Sequence, residues 1–132
     1  MFTLKAISPD AVPRALERAE RYRLLAEPRE AESICHDVLN VDPDNQRALV
    51  TLILALTDQL SSGRSSCASE ATALVRRLRS EFERLYYAGI VHERRAKAIL
   101  SGAGMGSHEN AFAYLREAMA CFDRAEAISP PK

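Results

Sequence analysis

Apolar side chains recur along this chain at spacings of three and four in six successive stretches, each closed by a polar, proline or glycine break, the pattern of amphipathic helices. Ala15, Ala19, Tyr22 and Ala26, flanked by Leu16 and Leu25, predict a first helix from about Asp10 or Ala11 to Ala26. Pro28 is well placed in a first helical turn, so a second helix starts near Glu27 or Pro28 and turns Ala31, Ile34, Cys35, Val38 and Val41 inward. Asp42-Pro43-Asp44-Asn45 ends it, and Asp44 or Asn45 caps a third helix over about Gln46 to Leu60. Leu49, Val50, Leu52, Ile53, Leu54 and Leu56 cover most of that helix, which is therefore expected at the centre.

Ser61-Ser62-Gly63-Arg64-Ser65-Ser66 is a polar break in which Ser66 is the expected cap of a fourth helix carrying Ala71, Leu74, Val75 and Leu78. Ser80-Glu81-Phe82-Glu83 has the capping-box form and starts a long fifth helix, about Glu81 to Leu100. Ser101-Gly102-Ala103-Gly104-Met105-Gly106-Ser107 interrupts it, because alternating glycines raise the entropy cost of staying helical. A sixth helix follows from about His108 to Ile128.

One pattern occurs twice. Arg29-Glu30-Ala31 to Pro43 and Arg116-Glu117-Ala118 to Pro130 align Ala31 with Ala118, Cys35 with Phe122, Val38 with Ala125 and Pro43 with Pro130. With Ala19 and Tyr22 in the preceding helix, and with Leu85 and Gly89 before the second copy, these residues resemble the tetratricopeptide-repeat (TPR) family, built from helix-turn-helix units of about 34 residues. The resemblance implies an all-α fold of antiparallel helix pairs stacked as a short right-handed superhelix of about six helices. It implies one domain over 1–132, with repeats at about 12–45, 46–81 and 82–132. The middle repeat is degenerate, with Ile53 and Leu56 in place of the small residue and the aromatic and no closing proline. The two copies lie 87 residues apart, so the third repeat is the extended one, with its extra length at the end of the fifth helix and in the glycine loop.

Composition narrows the function. Lys plus Arg and Asp plus Glu both number 18, so no global field favours nucleic acid or an anionic membrane. The arginines around Arg76 and Arg94 are interleaved with Glu70, Glu81, Glu83 and Glu93, which reads as solvated helix surface. The start of the chain lacks a leader pattern and Leu52 to Leu56 is too short to span lipid, so a cytoplasmic protein is expected. Three cysteines do not close a disulfide set, and Cys35 and Cys121 fall on inward faces. His36, His92 and His108 form no ligand spacing, so neither a metal nor a cofactor is expected. The glycine loop follows a helix and lacks a neighbouring Lys-Ser or Lys-Thr pair, so it reads as a connector and not a phosphate cradle. No catalytic residue is assigned.

In the family it resembles, ligands lie along the face made by the first helix of each repeat. That places Leu16, Glu20 and Arg23, then Arg47, Val50 and Leu54, then Tyr86, Ile90 and Arg94 in a partner-binding groove. The apolar members suit an amphipathic helix or extended segment and the arginines suit acidic groups at its edge. The residues of a carboxylate clamp for chaperone tails are missing. The expected function is thus a non-catalytic adaptor or scaffold holding a protein or peptide partner. The alternative is a self-associating subunit, or a fragment of a longer array, whose last helix has no polar cap and exposes an edge of Phe112, Leu115, Met119 and Phe122.

Overall fold

A computed structural model describes residues 4–102 and 108–129. Within them the chain forms six α-helices and two short 3-10 turns, with no strand. The helices are α1 (Val12–Leu24), α2 (Pro28–Val41), α3 (Gln46–Asp58), α4 (Ser66–Val75), α5 (Glu81–Leu100) and α6 (His108–Ile128). The all-α class expected from the apolar periodicity is therefore observed. No helix of the described residues is long and apolar enough to cross a membrane.

Local chemistry sets most boundaries. Pro28 is the first residue of α2, where its missing amide leaves no partner unsatisfied. Asn45, not Asp44, caps α3, its Oδ1 accepting from Ala48 N at 2.9 Å. Ser80 Oγ accepts from Glu83 N at 3.2 Å to cap α5. Ser66, expected as a cap, is instead the first residue of α4, and Ser65 before it makes no capping bond. The α3–α4 link turns at Gly63, whose φ of 94° is a left-handed conformation that a side chain disfavours. Helix α4 stops at Val75, before Leu78. Two tight turns, Arg77 N to Leu74 O and Leu78 N to Val75 O, still carry Leu78 into the core.

Each helix packs on the next, and α3 also contacts α1 and α5. Helix α3 is the hub, as its apolar circumference predicts. Leu49, Leu52, Ile53 and Leu56 are buried with Ala19, Ala31 and Cys35 on one side and with Cys67, Ala71, Val75 and Val91 on the other. A smaller cluster joins Val12 and Leu16 of α1 to Val38 of α2 and Ala48 of α3. Helices α5 and α6 pack along a stripe of Ala96, Ile99 and Ala111, continued by Ala118, Cys121 and Ala125. Ala103 to Ser107, with most of the glycine loop, and Pro130 lie outside the described residues.

Candidate interaction surface

The charged residues assigned to the groove meet across three helices. Arg47 of α3 grips Glu20 of α1 in a two-pronged pair, Nε to Oε2 at 2.8 Å and Nη2 to Oε1 at 2.7 Å. This hydrogen-bonded guanidinium holds the Glu20 carboxyl below its ordinary range. Further along α3, Asp58 receives two arginines. Arg23 of α1 places Nε 2.7 Å from Oδ2, off the line of a hydrogen bond, and donates through Nη2 to Oδ1 at 3.4 Å. Arg94 of α5 pairs with the same Oδ1 and donates to Thr57 Oγ1 at 3.2 Å. Two guanidiniums share one carboxylate at this end of the face, and Glu27 and Glu30 line the recess beside Asp58. Along α3, Val50 and Leu54 lie between the two clusters, both half-buried.

Other assigned residues lie elsewhere. Leu16 is only 2% exposed and packs against Val12, Val38 and Ala48, so it belongs to the core and cannot line a groove. The reason is its place on the Val12-Leu16-Ala19 stripe, which seats α1 on its neighbours. Tyr86 and Ile90 open into a separate cavity of about 500 Å³ between α5 and α6, lined by Phe82, Tyr86, Ile90, Glu93, Phe122 and Glu126 among others. Its wall is aromatic. Phe82 stacks on Tyr86 with centroids 6.0 Å apart, and Tyr86 meets Phe122 at 5.7 Å with the rings tilted by 54°.

The expected edge on α6 also divides. Phe112 and Met119, seven residues apart, are 55% and 65% exposed. Leu115 and Phe122 are half-buried and fall on the Ala111-Ala118-Ala125 stripe that meets α5. Leu115 packs with Ala96, Ile99 and Ala111, and Phe122 lies over Gly89. The periodicity of α6 puts these two on its inner side, so only Phe112 and Met119 remain as an outward edge.

A second groove, which no local pattern in the sequence marks, lies on the opposite side. A cavity of about 870 Å³ has Leu39, Leu52, Leu56 and Leu74 for apolar lining, with Glu32, Arg64 and Arg77 among its polar residues. Glu32 is a carboxylate only 2% exposed, accepting from Gln59 Nε2 at 2.8 Å and Arg64 Nη1 at 3.1 Å, with His36 Nε2 3.5 Å away. Its one sequence signal is an acid directly beside Ala31 on an otherwise apolar-facing helix. Leu4 reaches this cavity, and Lys5 N donates to Asp37 Oδ1 at 2.9 Å, which pins the leading segment to α2.

Reactive groups are quiet. Burial raises the thiol of Cys35 to about 12, with Glu20 and Glu32 adding to the effect, and burial raises Cys67 and Cys121 as well. A thiol so shifted stays protonated and is a poor nucleophile. Among the described residues no cluster of His, Cys, Asp or Glu is arranged to hold a metal ion. No protein-family model matches the chain, and neither a curated protein nor a solved structure matches it.

Proposed function

We propose that the chain is a TPR-like, non-catalytic interaction module of the cytoplasm, which holds a protein segment across the α1, α3 and α5 face without a cofactor or nucleic acid. The observation that carries the reading is the Arg23–Asp58–Arg94 cluster. Its two guanidiniums on one carboxylate stand at the end of a face on which Val50 and Leu54 are still partly open. A segment with one or two apolar side chains followed by a carboxylate matches this order of chemistry. Arg47 is already satisfied by Glu20 and serves to join α1 to α3. The duplicated segments support the repeat reading, since Ala31 and Val38 in α2 and Ala118 and Ala125 in α6 are all buried. So does the small residue at the matching place on the first helix of each pair, Ala19 buried in the same cluster as Cys35 and Gly89 directly under Phe122.

Selection of a displayed peptide library on the wild-type protein, with counter-selection on Leu54→Glu, tests the proposal. Enrichment of apolar-acidic sequences that Leu54→Glu and Arg94→Glu both fail to bind supports it. Enriched peptides that bind both variants as well as wild type argue against this face.

A further inference from the structure

Helix α3 contacts both members of the α1–α2 pair, and α5 contacts both members of the α3–α4 pair. The corresponding groove between α5 and α6 holds no helix among the described residues; it is the aromatic cavity of Phe82, Tyr86 and Phe122. Aligning Ala19 with Gly89 and Cys35 with Phe122 sets the register. In that register Phe82, Tyr86 and Ala125 correspond to Val12, Leu16 and Val38, the side chains that enclose Ala48 of α3. The groove is thus shaped like a helix seat, but its chemistry differs from the first seat. Glu93 and Glu126 line it, and no basic residue does.

The complementary surface is on α1. Arg14, Arg18, Arg21 and Leu25 recur at spacings of four, three and four, all exposed, with Leu25 64% accessible. None of the three arginines has an ion-pair partner among the described residues. In the repeat register Arg14, Arg18 and Arg21 stand where α3 carries the buried Ala48, Leu52 and Ala55, of which Ala48 packs on Val12, Leu16 and Val38 of the preceding pair. An arginine stripe is unsuited to an apolar seat and well suited to rings flanked by carboxylates, which it meets by cation–π contact and paired hydrogen bonds.

We propose that the α5–α6 groove takes α1 of a second copy of this chain, so that molecules join head to tail. Such an interface is heterologous: each copy keeps one free groove and one free α1, and growth continues past the dimer. The site is distinct from the Val50 and Leu54 face, so either proposal can fail without the other.

Sedimentation velocity on the wild type and on two double variants tests it. Arg18→Glu with Arg21→Glu disables the α1 stripe, and Tyr86→Arg with Glu126→Arg disables the groove. All four positions are exposed, and circular dichroism verifies that the helices persist. Wild-type mass should rise with concentration beyond that of a dimer and fall at high salt, and each variant alone should be a monomer. Mixed in equal amounts, the two variants should form a one-to-one dimer and nothing larger, because one intact groove meets one intact α1. A mixture that stays monomeric overturns the proposal. So does a wild type that remains monomeric throughout or stops at two copies.

Discussion

A Cβ placed on Gly89 would lie 2.6 Å from Cε1 of Phe122, so the aromatic ring of α6 rests directly on the backbone of α5. Gly89→Ala gains about 1 kcal/mol of helix propensity but forces the ring aside, an overpacking that costs about 1–3 kcal/mol. A net loss of about 1 kcal/mol is expected, read as a fall in Tm of about 4 °C. In a Phe122→Leu background the obstruction is gone, and the same Gly89→Ala change should raise Tm. If Gly89→Ala stabilises both backgrounds equally, the close packing of α5 and α6 is wrong.

The buried carboxylate of Glu32 should matter more than any exposed ion pair. Glu32→Ala removes the shorter of two bonds made by Gln59 Nε2, which keeps Ala55 O at 3.1 Å, and leaves Arg64 without its counter-charge, so it is expected to cost about 2 kcal/mol in urea unfolding. Glu32→Gln, which keeps an acceptor oxygen, should recover about half of that loss. Glu20→Ala removes a pair whose members are both largely exposed and should change stability little. A Glu32→Ala protein as stable as wild type would contradict the buried network.

His92 gives the fold an acid sensitivity. Its ring stacks on Tyr114 at 6.1 Å and its buried Nδ1 has no hydrogen-bond partner among the described residues, while Arg95 sits 4.6 Å from the centre of the same tyrosine. Burial, aided by Arg95, lowers its pKa below the ordinary imidazole value, against an opposing pull from Glu117. The unfolded chain therefore takes up this proton first as pH falls. Stability attributable to the neutral ring is present above the ordinary histidine pKa, shrinks as pH drops through it, and levels off below the folded value. His92→Phe should show a smaller drop in Tm between neutral and mildly acidic buffer than wild type does. An equal drop would place the acid sensitivity elsewhere.

Helix positions were largely legible because apolar spacing, Pro28, Asn45 and Ser80 act through neighbouring residues. Helices α5 and α6 begin and end where the pattern places them. Side-chain roles that depend on which helix lies opposite were less legible. Leu16 looked like a groove residue until its stripe met Val38 and Ala48, and Leu115 and Phe122 looked like an edge although they share the spacing of Ala111, Ala118 and Ala125. The helix pattern marks Arg23 and Arg94 as face residues but does not mark Asp58, the acid that unites them. Its link to them spans residues 35 and 36 positions apart in sequence, which no local pattern encodes.

The partner face is tested most directly by amide and methyl NMR shifts on adding an apolar-acidic peptide obtained by the selection described above. The account predicts perturbations centred on Val50, Leu54, Arg23 and Arg94, with Leu39, Leu52 and Leu74 on the opposite side unmoved. Shifts centred on those three leucines, with Val50 and Leu54 silent, would contradict it and assign binding to the groove beside Glu32.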